Sequence, residues 1–453
     1  MVEVIILIRT PVIPTEIIVH LGAPDEAARN ISVPFVEYIK NVATGEIYPN
    51  WPIDAIKANV LAQISFALNR IYNEWYPSKG YDFDITSSPV YDQSFVENRQ
   101  FFEKISHVVD DLFNNYIVKD EQVQPFFAMY CDGKNVTCDG LSQWGTVTLA
   151  NQGMGPLEIL KNYYGDIKLI YNAPLSNNIR TYPGFVVRLG MAGDFVRMLN
   201  IQLNRIGQNY PAIPIITNNT PYFTVETEQA VKKFQEIFDL DVNGVVDKAT
   251  WYKIKYVYNA VKNIADLYSE GISIDESTLL FKEQLEVGDE GQYIITLNYL
   301  LNVIAYFDSS IPFLRLSGEV FNNDTKQVVM AFQSKYNLPV TGIVDKITWR
   351  DLKEAYRQTL RNIPREYLRA LNEFYPGRFL SLGMTGDDIS NLQNFLYIIC
   401  EKTKSIPGVV VNGIFDNLTK QSVLSIQKRY NLEENGVVGP ATWYKIVELS
   451  KEV

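Results

Sequence analysis

Apolar positions fall at helical spacing in two neighbouring runs near the N-terminus, and then in a pattern that recurs three times. The first pair of runs is VPFVEYIKNVATGEIYPNWPIDAIKANVLAQISFALNRIY, two helical patterns around the break YPNWP. Pro52 suits the first turn of the second helix, which is predicted to reach about Tyr72. Ile56, Val60, Ala67 and Ile71 lie on its apolar side, while Asn59 and Gln63 stack at i, i+4 on another face. Glu46 stands at the break, after Gly45 and beside Ile47, Tyr48, Pro49 and Trp51. Apolar surroundings of that kind desolvate a carboxylate and raise its pKa toward the range of a general acid. The alternative reading is a helix-end carboxylate in water.

Repetition governs the rest of the chain. Gly190, Gly288 and Gly383 open the segments LGMAGDFVRMLNIQLN, VGDEGQYIITLNYLLN and LGMTGDDISNLQNFLY. Each reaches a helical stretch (TEQAVKKFQEIFDL, TKQVVMAFQSKYNL, TKQSVLSIQKRYNL), then a turn and a closing helix (NGVVDKATWYKI, TGIVDKITWRDL, NGVVGPATWYKI). Gln235, Gln333 and Gln427 each precede Trp251, Trp349 and Trp443 by 16 residues. Each unit is therefore predicted to be a small helical bundle locked by its Gln and Trp. The Thr of TEQ and of the two TKQ segments stands as a helix N-cap, and Thr250, Thr348 and Thr442 cap a short last helix.

Composition narrows the function classes. At ~150 residues per domain, 453 residues suggest about three domains. The net charge of −11 argues against a nucleic-acid partner. No apolar run approaches the ~18 residues of a membrane span, and no classical secretory signal is read at the N-terminus. Three cysteines exclude a disulfide framework, and two histidines make a zinc peptidase or a Ser-His-Asp hydrolase a poor fit. Aromatic residues, with 28 Tyr among them, are in surplus and suit faces that pack on sugars.

The repeats resemble the peptidoglycan-binding domain of the three-helix type, over residues 187–254, 285–352 and 380–446. The family's DG-x-FG element stands as NGIFD (412–416) in the third copy and SGEVFN (317–322) in the second, and dissolves into AIPIITNNTPYFT in the first. Before the repeats, NVATGEIYP with DAIKANVLAQISFAL, then YDFDITSSPVYDQSF (81–95), then CDGLSQWGTVTLANQGMGPLEILKNYYG (138–165) resemble the blocks of the SpoIID/LytB family. With the repeats, the layout is similar to spore cortex-lytic enzymes of the SleC type.

The resemblance implies an α+β N-terminal domain (1–171) and a linker (172–186), followed by three mainly α-helical three-helix bundles. The bundles occupy 187–254, 285–352 and 379–453, with helical spacers at 255–284 and 353–378. It implies lytic transglycosylase cleavage between MurNAc and GlcNAc, with Glu46 as the single catalytic carboxyl. Tyr48, Trp51, Asn59, Gln143 and Trp144 would bind substrate. Partners would be peptidoglycan glycan strands, located in the spore or cell wall. The family's Arg in AARTYAL is Ile64 here, and a family His falls at Ala128, which leaves open a non-catalytic wall-binding protein or amidase enhancer. A structural component using the repeats for protein contacts is a third class. No cofactor is expected. Cys131 and Cys138, spaced C-x6-C, are either structural thiols, reduced or disulfide-linked, or half of a zinc set. Cys400 is read as a core residue.

Overall fold

The computed structural model describes residues 11–176, 180–217, 220–272, 284–314, 319–362, 376 and 379–451. The chain divides into two compact units: residues through Thr181 with 249–280, and 182–248 with 281–453.

The first unit mixes strands and helices. In chain order they are β1 (Ile13–Pro14), β2 (Glu16–His20), β3 (Asn30–Pro34), α1 (Phe35–Glu46), α2 (Ile53–Tyr72), β4 (Ile85–Thr86), α3 (Glu103–Leu112) and β5 (Tyr116–Lys119). There follow β6 (Tyr130–Cys131), β7 (Leu141–Ser142), α4 (Gln143–Asn151), α5 (Pro156–Tyr164), β8 (Ile167–Ile170) and β9 (Leu175–Ser176). The strands form small sheets. β2 lies between antiparallel β3 and parallel β4; β5 pairs antiparallel with β8; β1 with β9 and β6 with β7 pair parallel.

α2 is the axis of this unit, packing against α1, α3, α4, α5 and β5. Pro52 proves to be its N-cap rather than its first helical residue. The expected two-faced helix is buried all round, from Ala55 to Ile71 with Lys57 excepted. Several of its polar residues are bonded inside. Ser65 Oγ donates to Leu61 O and accepts from Ile117 N (2.6 and 2.8 Å), and Asn69 Nδ2 donates to Pro125 O (2.8 Å).

The stretch expected as a helical spacer belongs partly to this unit. α8 (Lys248–Val261) continues the T-W helix of the first repeat, and irregular chain then runs to Ile272. Lys255 forms a buried ion pair with Glu74 (3.0 Å), Asn259 Nδ2 donates to Asn73 O (2.8 Å), and Val123 N donates to Ile272 O (3.1 Å). The expected 172–186 linker is likewise held as far as Thr181, with Arg180 on Asp84 at 2.8 Å. Residues 273–283, and 363–375 of the second expected spacer, lie outside the described residues.

The second unit holds the helical repeats. α6 (Asp194–Asn209) and α7 (Val225–Ile237) form the first copy. α9 (Gln292–Phe307), α10 (Asn323–Lys335) and α11 (Lys346–Asn362) form the second, and α12 (Asp387–Lys402), α13 (Asn417–Arg429) and α14 (Pro440–Lys451) the third. Two antiparallel bridges recur per copy, for example Leu285 with Val344 and Glu290 with Val320.

The repeated glutamine is a turn clamp. Gln333 Oε1 accepts from Thr341 N and Gly342 N (3.0 and 2.9 Å), while Nε2 donates to Ile343 O (2.8 Å). Gln235 and Gln427 hold Gly244–Val245 and Gly436–Val437 in the same way. The turn glycines sit at φ near 70°, and a Cβ there would stand 2.7 Å from the lysine side chain of the preceding helix.

The repeated threonines are displaced from their expected role. Thr227, Thr325 and Thr419 lie in the first turn, and the caps are Thr224, Asn322 and Asp416 three residues earlier. Buried Thr227 and Thr325 donate instead to Asn200 and Asn298 of the preceding helix, and Thr419 accepts from Gln393 there. Thr348 likewise follows its cap, Asp345, whose carboxylate accepts from Thr348 N (2.7 Å). The closing helices are 14, 17 and 12 residues long rather than short. Cys400 is buried in the core of the third copy, as expected.

Within this unit the copies abut. Tyr306 of α9 accepts from Thr442 N (3.1 Å) and contacts Thr442 Oγ1, and its ring lies 4.9 Å from that of Phe379.

Replacing Gln427 by Leu would strand Gly436 N–H and Val437 C=O in the interior. A loss of about 2–4 kcal/mol is expected in denaturant unfolding. An unchanged midpoint would show that the clamp contributes nothing net.

Candidate active site

Glu46 is the last residue of α1, and its position follows from what stops that helix. Pro49 and Pro52 cannot continue it, so the chain breaks through Tyr48 and Trp51 before α2 begins. The carboxyl therefore sits at a helix C-terminus, where the terminal carbonyls disfavour an anion. It is half-buried and fully engaged. Oε2 accepts from Gln63 Nε2 of α2 at 2.8 Å, Oε1 accepts from Ser94 N at 3.0 Å, and Tyr130 of β6 adds a hydroxyl hydrogen bond. Burial pushes the Glu46 carboxyl above its ordinary value. The Ser94, Tyr130 and Gln63 hydrogen bonds and the Arg99 charge pull it back, without cancelling the rise.

These partners are themselves tied together. Gln93 Nε2 donates to Tyr130 Oη (3.0 Å) and to Gln63 O (3.1 Å), and Tyr38 Oη donates to Gln93 Oε1 (3.1 Å). Burial, with the negative charge of Glu46 and other groups, holds Tyr38 and Tyr130 well above the usual phenol range, so both remain donors. Gln63 is wholly buried, and its Oε1 has no partner. Asp92, whose charge also reaches Tyr38, is occupied by Arg70 (2.8 Å), Tyr76 (2.5 Å) and Thr86 (2.9 and 2.7 Å). It is not free to act as a second carboxylate.

Beside Glu46 the break and the SQWG turn bring three rings together. Trp51 and Trp144 lie 4.8 Å apart, and Tyr48 lies 5.6 and 5.8 Å from them. Tyr48 is exposed, Trp144 half-buried and Trp51 buried, so Trp51 supports the two rings that reach solvent. Lys134 lies over Trp144, 3.2 Å from the ring centre. The SQWG turn is set by β6–β7 pairing and by Ser142 Oγ, which accepts from Gly145 N (3.0 Å).

Two expected substrate residues sit deeper than the sequence suggests. Asn59 is buried, its Nδ2 donating to Ala55 O and Thr146 Oγ1 (both 2.8 Å), so it braces α4 against α2 instead of lining a groove. Gln143 is also buried, at the start of α4. Cys131 and Cys138 form a disulfide, so neither offers a thiolate to a metal. Among the described residues, no three His, Cys, Asp or Glu side chains are grouped to hold a metal ion, and no helix is long and apolar enough to cross a membrane. Sequence reading missed Ser94, Gln93, Tyr130 and Arg99. Two of them stand within the quoted YDQSF segment, where a backbone donor leaves no residue-type signal.

Residues 26–116 match the profile of the Stage II sporulation protein family, SpoIID, and residues 192–254, 290–352 and 385–446 each match a peptidoglycan binding domain. The chain carries a SpoIID domain followed by three peptidoglycan-binding domains. Its place is thus with the bacterial cell wall or spore. It is also 28% identical over 176 residues to the N-acetylmuramoyl-L-alanine amidase CwlM of Mycobacterium tuberculosis (strain ATCC 25618 / H37Rv). That alignment covers 38% of this chain and spans 39% of the relative's length. Glu46, Gln63, Ser94 and Arg99 lie inside the SpoIID match; Tyr130, Gln143 and Trp144 lie beyond its end.

A carboxyl raised by burial contributes stability below its unfolded-state pKa and loses it as pH rises through the folded-state value. Glu46→Gln should therefore raise the melting temperature at pH 7, with the gain shrinking toward pH 4. Rotation of the Gln63 amide keeps both partners paired. A variant that melts lower at pH 7 would contradict the burial cost.

Proposed function

We propose that the SpoIID domain is a peptidoglycan lytic transglycosylase, with Glu46 as its general acid and base. The observation that carries this reading is a lone, desolvated carboxyl held by Gln63, Ser94 N and Tyr130 beside an aromatic wall. In its protonated form Glu46 gives its proton to the glycosidic oxygen between MurNAc and GlcNAc. As a carboxylate it then takes the proton of the MurNAc 6-hydroxyl while that oxygen attacks the anomeric carbon, leaving a 1,6-anhydro end. No water attack, and so no second carboxylate, is required, unlike in ordinary glycosidases. Gln63 suits both states: its Nε2 donates to the carboxylate, and its unpartnered Oε1 can accept from the acid after amide rotation. Tyr48 and Trp144 offer ring faces to sugars. The three peptidoglycan-binding domains keep the enzyme on its insoluble substrate, which we take to be spore cortex, and their number raises retention by multivalency.

A second reading, a non-catalytic wall-binding protein or amidase enhancer, is favoured by one observation. Ile64 and Ala128, where the family pattern has Arg and His, are both fully buried in apolar clusters.

Digestion of purified cortex or vegetative peptidoglycan separates the readings. The wild type should release anhydro-muramoyl fragments, and Glu46→Gln should lower that rate by at least ~100-fold while still sedimenting with the wall. Reducing ends would indicate a hydrolase, and freed peptide stems would indicate an amidase. Sedimentation with the wall but no product would favour the second reading. Trp144→Ala should raise KM more than it lowers kcat if the ring binds sugar; an unchanged KM would remove it from the binding face.

A further inference from the structure

Arg99 stands outside every motif quoted for this chain, yet its guanidinium is built into the Glu46 end of α1. Nη1 donates to Asn41 O at 2.7 Å and to Ser94 O at 3.2 Å. Ser94 in turn gives its N–H to Glu46 Oε1 at 3.0 Å, so one residue receives the cation on its carbonyl and presents its amide to the carboxylate. Asn41 fixes the same segment a second time: Nδ2 donates to Val96 O (2.8 Å) and Oδ1 accepts from Val96 N (3.0 Å).

The space for this cation is made by a glycine. A Cβ on Gly45 would stand 1.6 Å from Arg99 Nη1 and 2.4 Å from Cζ. Gly45 lies within α1, where glycine costs about 1 kcal/mol relative to alanine, and its backbone is not left-handed. A side chain at position 45 would therefore oblige the guanidinium to move. Burial lowers the Arg99 pKa and the Glu46 charge raises it, the electrostatic counterpart of the contact through Ser94. The other titratable groups facing this network are Tyr38 and Tyr130, held protonated, and Asp92, paired with Arg70.

We propose that Arg99 is the positioning cation of the site: it holds the Ser94 backbone against the Glu46 carboxyl and sets, by its charge, the pH range over which Glu46 keeps its proton. The proposal rests on Glu46 being the general acid, but its geometry does not. Arg99 acts through Ser94 and through its field, and makes no bond to the sugar.

The test uses the full-length protein, wild type and the variants Arg99→Gln, Arg99→Lys and Gly45→Ala. Two quantities are read: kcat and KM against pH for release of anhydro-muramoyl fragments, and the titration of the Glu46 carboxyl carbon by NMR. Arg99→Gln removes a charge that favours the carboxylate, so the Glu46 titration and the alkaline limb of kcat/KM should both move to higher pH. The value of kcat at the optimum should fall about ten- to hundredfold with KM little changed. Gly45→Ala displaces the guanidinium by a different route and should move the limb in the same direction. Arg99→Lys keeps the charge and should return the limb toward its wild-type position while kcat stays low.

A Glu46 titration that is the same in Arg99→Gln and wild type would overturn the proposal, as would a loss of rate with the limb unmoved. A chain that makes no anhydro product but shows the shifted titration would end the transglycosylase reading and leave the role of Arg99 standing.

Discussion

The SpoIID domain is organised around the difficulty of keeping one carboxyl out of water. Glu46 sits at the C-terminal end of a helix, where the helix field opposes its charge, and burial disfavours its ionised form. An anion there survives because three donors from three parts of the chain converge on it: Gln63 from α2, the Ser94 amide from the loop after β4, and Tyr130 from β6. Each donor must itself be held, and much of the surrounding architecture does that holding. Gln93 locks Tyr130 and the Gln63 backbone, and β6–β7 pairing places Tyr130 next to the SQWG turn. Of the small sheets, the β6–β7 pair carries one of these donors, while β1, β2, β4 and β5 give Ile13, Ile17, Val19, Ile85, Tyr116 and Val118 to the hydrophobic core.

The same requirement explains why α2 is both buried all round and rich in amides. A purely apolar helix would have packed as well, but could not have presented Gln63 to Glu46 or tied α4 down through Asn59. A buried polar group is tolerable when it is bonded, and Asn59, Ser65 and Asn69 each donate to a carbonyl inside. Gln63 keeps one oxygen open, as Arg70 keeps one nitrogen. An unmet acceptor beside a buried carboxyl is the kind of local conflict that folding alone does not favour.

The repeats were legible from sequence because their constraints are local. A glutamine that clamps a glycine turn eight to ten residues on leaves a fixed spacing, and so does the tryptophan that closes each bundle. Even there, residue type misled at the threonines. A Thr three residues into a helix meets the same preference for hydroxyls as a cap, and only the neighbouring helix reveals that Asn200 or Asn298 is its partner. The stretch expected as a spacer after the first repeat is helical to Val261 and continues as irregular chain to Ile272. Its attachment to Glu74 and Asn73 could not be read, because those partners lie more than 180 residues away.

In the candidate site, Glu46 and the aromatic wall were visible because proline, aromatic and acidic residues cluster within six positions at the break. Asn59 lies deeper than expected for the converse reason: i, i+4 spacing shows that two amides share a face, not whether that face meets solvent. The cation was invisible altogether. The family pattern points to position 64, where Ile64 packs into the core, whereas the charge arrives from Arg99, more than fifty residues beyond Glu46 in the sequence. The trace it leaves near Glu46 is Gly45, an apparently unfavourable residue in a helix. The guanidinium occupies the space that a side chain at position 45 would take, so that glycine and the cation share one place beside the helix end.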